Sequence, residues 1–417
     1  MQGEIICIGD ELISGQVAER NATYAAGRLW PLGFRIRSVV IVGDDPGEMT
    51  AALNRALSRA DFVLVTGGLG ATEDDITAQV AAQVFDLPLT ESARMVKNLR
   101  ACFADGGGNL AEEARKMAWL PRGAEVLDDR CAGFRLTGPG GQPVFFLPGV
   151  PAEMRRLTEL KVLPQLLALQ PGGERVLTRT LKVFGLPEPQ VGARLRGLTQ
   201  GVTGATVGFY PVFPEVHVRL GVRAATEAAA EAVLLDLDRE AGRRLADYVV
   251  ASGEDRLEDV VARDMAAQRM TLALAESCTG GLISHRLTGV AGSSVFFERG
   301  MVVYSNLAKQ ELLGVKARTL ATFGAVSAPC AAEMAQGARE RAGVSLGLAV
   351  TGIAGPSGGS PEKPVGTVFF GLAAPEGVKT GRAQFAGERG QIKALSAETA
   401  LDWLRRYLRD HAFVRSA

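Results

Sequence analysis

The run Ala-Glu-Ser-Cys-Thr-Gly-Gly at 275–281 puts Ser277 where an apolar, strand-like stretch turns through small polar residues into a helical one. A serine at the carboxyl edge of a strand can act as a nucleophile, and the turn amides of Thr279, Gly280 and Gly281 can hold an oxyanion. The same pattern also suits an ordinary helix cap. Tyr-Ser-Asn-Leu-Ala-Lys at 304–309 offers a partner. With Asn306 as cap, Lys309 falls in a first helical turn, where the positive end of the dipole favours loss of its proton and the neutral amine can serve as base toward a serine hydroxyl. A solvated surface lysine is the alternative. Thr-Gly-Ile-Ala-Gly-Pro-Ser-Gly-Gly at 351–359 follows an apolar strand; glycines such as Gly352 and Gly355 let amides close round an anion, or simply make a tight turn. Arg389, in Phe-Ala-Gly-Glu-Arg, precedes a terminal helix and could fork onto a phosphate or form a surface ion pair. Cys278 is a rival nucleophile, but no motif places a histidine to activate it. His217, His285 and His411 are far apart in sequence, so no His/Cys cluster suggests zinc.

A second constellation lies near the amino terminus. Gly-Asp-Glu-Leu-Ile-Ser-Gly at 9–15 sets Asp10 and Glu11 after a strand, and Thr-Gly-Gly-Leu-Gly-Ala-Thr-Glu-Asp-Asp at 66–75 supplies Gly67, Gly68 and Gly70 followed by three acids. Pro-Gly-Val-Pro-Ala-Glu-Met at 148–154 closes the edge. Such a loop can cradle phosphate, while carboxylates such as Asp10 and Asp75 can hold a divalent cation, Mg2+, Mn2+ or Co2+, that bridges a diphosphate. Acids at helix starts also occur merely to complement the dipole.

The elements that must position these residues follow from hydrophobic period. Over residues 4–167, β-branched runs (Glu-Ile-Ile-Cys-Ile-Gly, 34–43 and 61–68) alternate with amphipathic stretches at 18–30 and 46–59, which predicts an α/β domain with a parallel, doubly wound sheet and ligands at the strands' carboxyl ends. Pro171-Gly172-Gly173 marks a boundary. Residues 171–250 read as a small α+β connector, with strands near 179–186 and 216–224 and helices near 190–198 and 226–246. Its arginines are dispersed among acids, which favours a spacer or dimerisation element over nucleic-acid binding. Polar residues at 251–259 read as a linker into a second α/β domain, 251–417, with strands at 271–276, 296–305, 345–352 and 364–374, helices starting near Thr279 and Leu307, and a terminal helix of roughly 20 residues.

Composition narrows the classes. At 417 residues the chain suits two or three domains, and Lys+Arg equals Asp+Glu at 46 each, so no overall field draws it to nucleic acid or an anionic membrane. Small-molecule nucleotides are the expected partners, and a homodimer the base-rate assembly. The start lacks a basic n-region, no apolar run reaches membrane-spanning length, and the five cysteines are scattered, which together predict a cytoplasmic protein with reduced thiols.

Residues 255–410 resemble the nicotinamide-nucleotide amidohydrolase domain that ends CinA (competence/damage-inducible) proteins. The resemblance runs through Ala-Glu-Ser-Cys-Thr-Gly-Gly, the 291–300 stretch containing Gly292, Tyr-Ser-Asn-x-Ala-Lys, Gly-Ala-Val-Ser at 324–327, Thr-Gly-Ile-Ala-Gly-Pro, the 358–368 stretch and Phe-x-Gly-x-Arg. It implies deamidation of nicotinamide mononucleotide to nicotinate mononucleotide without a cofactor, as in NAD salvage. Ser277 would be the nucleophile, Lys309 its base, Tyr304 a relay or orienting group, and Thr351 and Arg389 active-site groups. Residues 3–165 resemble the molybdopterin-binding-like domain that opens the same proteins. That likeness implies metal-dependent ADP-ribose pyrophosphatase activity, or a scaffold that binds a nucleotide or pterin without turnover. Here the pattern departs at Ala71 (usually proline), at Arg115-Lys116-Met117-Ala118, and at Asp129-Arg130-Cys131-Ala132-Gly133-Phe134, where only Gly-Phe is kept. These changes predict weaker nucleotide binding.

Overall fold

A computed structural model describes residues 1–103, 112–128 and 132–415. The Asp129-Arg130-Cys131 departure lies outside the described residues. The chain forms two compact units, Met1–Thr178 with Val222–Val233, and Arg179–Gly221 with Leu234–Ala417. Both are built of strands and covering helices, the α/β class expected.

The first unit holds a six-stranded sheet in the order Arg35–Val42, Gln2–Ile8, Phe62–Thr66, Pro143–Leu147, Phe134–Thr137, Glu125–Val126. The first four are mutually parallel, and two of them, Phe62–Thr66 and Pro143–Leu147, are buried along their whole length, as unbroken apolar runs should be in a sheet covered on both faces. Alternate side chains feed two cores: Ile6, Val65 and Phe146 meet Met49 and Leu53, while Ile5, Leu64 and Phe145 meet Ala25 and Leu29. The helix Pro46–Leu57 turns Met49, Ala52, Leu53 and Ala56 inward at helical spacing and is capped by Asp45, whose carboxylate accepts from the amides of Gly47 and Glu48, each at 2.9 Å. Phe134–Thr137 pairs antiparallel with both its neighbours, so the expected parallel sheet is mixed at this edge. Five residues, 138–142, join Phe134–Thr137 to Pro143–Leu147, enough for a hairpin and too few for a crossover.

The second unit's main sheet has the order Phe297–Val302, Leu272–Glu276, Leu346–Gly352, Thr367–Ala374, Gly377–Gln384. Its first three strands are parallel and the last two antiparallel. One face packs on Leu257–Ala267 and the terminal helix, Arg389–Arg415; the other packs on Ala328–Ala342. That helix sits low on the sheet because Gly347 and Gly371 face it: a Cβ there would come within 2.1 Å of the Ala335 carbonyl and 2.3 Å of the Ala331 carbonyl. A four-stranded sheet, order Ala205–Val212, Glu215–Ala224, Arg175–Val183, Val249–Ser252, carries the helices Glu188–Arg194 and Glu227–Leu245. Part of the expected linker is thus strand, since Val249–Ser252 pairs antiparallel with Arg175–Val183 and buries Val250 and Ala251. Among the described residues no helix is long and apolar enough to cross a membrane.

Candidate active site

The strand Leu272–Glu276 is buried throughout and ends at the turn 277–281, where Gly280 and Gly281 take left-handed φ values of 60° and 91°. The helix that follows starts at Leu282, three residues later than expected, because those two glycines complete the turn first. Its exposed amides are satisfied by Glu276. One carboxylate oxygen accepts from Gly281 N–H (3.0 Å) and Ile283 N–H (3.1 Å), the other from Ser284 N–H (2.8 Å) and Ser284 Oγ (2.7 Å). Ser277 is therefore not the cap. Its amide donates to the Val350 carbonyl at 2.9 Å, fixing it level with Thr351 at the carboxyl edge of the parallel strands.

The hydroxyl of Ser277 instead faces Lys309. The helix Asn306–Leu313 is capped by Ser305, whose hydroxyl accepts from Ala308 N–H, so Asn306 is the first helical residue rather than the cap. Lys309 is only 1% exposed, which excludes the surface-lysine alternative. Its Nζ lies 3.1 Å from Ser277 Oγ, 2.8 Å from the Val303 carbonyl and 3.3 Å from the Tyr304 carbonyl. Both carbonyls can only accept. A neutral amine has two N–H donors and one lone pair, so the set is satisfied when the carbonyls take the hydrogens and the serine hydroxyl donates to the lone pair. Burial pulls the Lys309 amine below the ordinary lysine value, against a weaker upward pull from the thiols of Cys330 and Cys278. Cys278 itself is buried in the apolar core, and its thiol is pushed up to about 12, chiefly by desolvation. Cys330 is pushed up to about 11 by the same cause.

Around this pair the expected residues divide. Thr351 is buried, and its hydroxyl donates to the Ala325 carbonyl at 2.9 Å, tying the end of the strand Leu346–Gly352 to the segment before Ala328–Ala342. Arg389 is exposed; one nitrogen donates to the Gly355 carbonyl at 2.5 Å, another to Tyr304 Oη at 3.0 Å. The Tyr304 side chain, 62% exposed, thus pairs with Arg389 on the rim, while its main chain meets Lys309. Gly352 and Gly355 leave no room for a Cβ: one would approach the Thr367 carbonyl to 2.8 Å, the other Val365 to 2.6 Å. Of the three turn amides expected to bind an oxyanion, Gly280 donates to the Ser277 carbonyl and Gly281 to Glu276, while Thr279 has no backbone acceptor and lies against the Cys278 thiol. The Thr279 hydroxyl is buried without a hydrogen-bond partner among the described residues. Gly292 is not brought to the site. It opens the turn Ser293–Val295, which enters Phe297–Val302 from its amino end, opposite the edge that carries Ser277.

Two residues escaped the sequence reading. Glu276 was visible only as a buried acid ending an apolar strand, which demands a partner. Lys393, one turn after Arg389, has its Nζ 3.7 Å from where a Gly280 Cβ would stand, beside the turn that carries Ser277.

At the amino-terminal edge, Glu11, Gly67, Gly68, Gly70, Asp75 and Met117 help line a cavity of about 460 Å3. Thr77 holds the loop, its hydroxyl donating to the Gly67 carbonyl at 2.9 Å, and Lys116 Nζ donates to the carbonyls of Thr72 and Glu73. Asp10 does not line the cavity; its carboxylate accepts the Asp44 amide at 3.1 Å, and Asp75 accepts the Thr72 amide at 2.9 Å. Burial first, then the charges of Asp10, Asp74 and Glu11, raises the Asp44 carboxyl above its usual range. Among the described residues no three His, Cys, Asp or Glu side chains converge as a metal site.

Comparison with known proteins gives matches along almost the whole chain. Residues 254–408 match the profile of the CinA C-terminal domain, 4–168 that of a probable molybdopterin binding domain, and 178–251 that of a damage-inducible protein CinA KH domain. A CinA-like protein of Geobacter sulfurreducens is 45% identical, the alignment covering 97% of this chain and 98% of that one. A putative competence-damage inducible protein of Symbiobacterium thermophilum is 41% identical over 98% and 99%. Among solved structures, the competence/damage inducible protein CihA from Agrobacterium tumefaciens is 44% identical, covering 36% of this chain and 94% of that one, with a TM-score of 0.35. With relatives of this identity aligned over almost their whole length, the chain belongs to the CinA family.

Proposed function

We propose that the carboxyl-terminal site deamidates nicotinamide mononucleotide to nicotinate mononucleotide and ammonia. The observation that carries this reading is the buried contact of Lys309 Nζ with Ser277 Oγ, in which the amine has two carbonyl acceptors and no carboxylate at hydrogen-bonding distance among the described residues. Neutral Lys309 takes the hydroxyl proton as Ser277 Oγ bonds to the carboxamide carbon. The developing oxyanion is met by the Thr279 amide, the turn amide left without a backbone acceptor. Lys309 returns the proton to the departing nitrogen, the C–N bond breaks and ammonia leaves. Water then attacks the ester, giving its proton to Lys309; the Oγ–C bond breaks, Ser277 is reprotonated and nicotinate mononucleotide departs. Arg389 and Lys393 supply positive charge beside the turn for the 5′-phosphate. The purified chain is expected to release ammonia from nicotinamide mononucleotide equally with and without EDTA; no release, or release abolished by the chelator, would overturn the reading.

Arg389→Ala should raise KM about 10- to 100-fold, the loss of a charged hydrogen bond to phosphate, with kcat changed less than about threefold. Steady-state kinetics on nicotinamide mononucleotide and on the unphosphorylated riboside check this: the riboside should be indifferent to the substitution.

A second reading concerns the amino-terminal unit, where the glycine-lined cavity supports binding of a nucleotide diphosphate such as ADP-ribose. Among the described residues no three metal-ligating side chains converge there, and no cleavage step is drawn. Calorimetric titration followed by a product assay separates the cases: AMP formed only with added divalent metal means hydrolysis, binding without AMP means a scaffold.

A further inference from the structure

We propose that Glu276 is the positioning residue that makes Ser277, and not its neighbour Cys278, the reacting nucleophile. The proposal rests on the Ser277 reading above and deepens it. Glu276 is 1% exposed, and its carboxylate is ringed by four donors, all from the segment that follows the serine. A buried carboxylate is costly unless fully hydrogen-bonded, and one that gathers four donors holds their backbone tightly. Its main chain is fixed as well, the Glu276 carbonyl accepting Val303 N–H at 2.8 Å while Ser277 N–H donates to Val350. The chain is therefore clamped to both neighbouring strands immediately before and at the nucleophile, and to its own acid from Gly281 onward.

Between those clamps only 278–280 remain, and the left-handed Gly280 and Gly281 fix how they turn. In this arrangement Ser277 Oγ faces Lys309, while Cys278 packs in the cluster with Leu274, Ile283 and Leu287. Consecutive side chains in a turn cannot both face the base; the fold-back onto Glu276 decides which does. The acid also adds negative charge near Cys278, which together with burial keeps that thiol protonated. Two further amides that could compete for an oxyanion, those of Ile283 and Ser284, are occupied, so the charge must be met nearer the serine.

The role is one of geometry, and its signature is a split in the kinetic constants. Glu276→Gln keeps the shape but turns an N–H2 toward donors, so the turn loses its anchor; a misplacement of about 1 Å typically costs on the order of 100-fold in rate. The expected result is kcat lowered about 100-fold with KM within about twofold, and a matching fall in the rate at which a serine-directed fluorophosphonate labels Ser277, read by peptide mass. Ser284→Ala, which removes one donor of four, should fold normally and lose about three- to tenfold in both measurements. Glu276→Asp should recover part of the loss. As a control for mere destabilisation, Met265→Ala, a cavity in the separate helix Leu257–Ala267, should lower the melting temperature but keep wild-type kcat and labelling.

Wild-type rates in Glu276→Gln, or equal losses in the Met265→Ala control, would overturn the positioning role. If Glu276→Gln does not fold, wild-type labelling in Ser284→Ala overturns it. The labelling arm needs no nucleotide: a wild-type chain that is labelled at Ser277 but inert toward nicotinamide mononucleotide overturns only the substrate. A wild-type chain labelled at Cys278 overturns both.

Discussion

Ser277→Ala should abolish ammonia release, lowering kcat by on the order of 10^6-fold, the loss seen when a nucleophile that acts as a unit with its base is removed. KM should be little changed, because the serine contributes a bond in the reaction and little to ground-state binding. Cys278→Ala should retain activity within about threefold. The asymmetry follows from position: Ser277 Oγ lies 3.1 Å from Lys309 Nζ, whereas Cys278 is packed among aliphatic side chains with its thiol pushed up to about 12. Discontinuous ammonia assays on the two variants, with circular dichroism to verify folding, decide the matter. Loss of activity in Cys278→Ala with retention in Ser277→Ala would reverse the assignment.

Lys309→Arg should be nearly as damaging as Lys309→Ala, each lowering kcat by about 10^4-fold or more. Guanidinium keeps its proton at any working pH, so it preserves charge and removes the base. In the wild-type chain, kcat/KM should rise with pH through a single ionisation lying below the ordinary lysine value. The sign is set by the group: the protonated amine is inactive, burial favours the neutral form, and activity is lost as pH falls through the lowered pKa. A residual activity in Lys309→Arg within tenfold of wild type would mean that Lys309 merely packs against the serine.

Much of this centre was legible in the sequence because its parts are punctuated locally. Leu272 to Ala275 is an unbroken apolar run, Gly280 and Gly281 mark the turn, and Lys309 follows a short run of cap residues, though Ser305 takes that role in place of Asn306. What remained hidden depends on distance through space. That the serine is freed from capping could not be read, because the competing cap, Glu276, acts through a fold-back that glycine geometry alone creates. The direction of the Tyr304 side chain was equally hidden, since it is set by Arg389, 85 residues away. Helix Ala328–Ala342 left a faint signature: its inward residues include Ala331, Ala335, Gly337 and Ala338, too small to give a clear apolar stripe. In the first unit the apolar runs read from the sequence cover only the parallel strands; Phe134–Thr137 lies beyond them, and its five-residue connection to Pro143–Leu147 at 138–142 requires a hairpin.

The close seat of that helix on Gly347 and Gly371 gives these distant glycines a hold on the reaction. Its first turn carries Cys330, which lies near enough to Lys309 for each to bias the other's protonation. An alanine at Gly347 would have to lift the helix off the sheet to make space for one methyl group. The gap would open beneath the amine, admitting water where its absence keeps the base neutral. Tolerance to substitution in this unit should therefore be lowest where the side chains are smallest, and enzyme that is fully folded but sluggish, with its acid limb moved toward higher pH, is the phenotype to seek there.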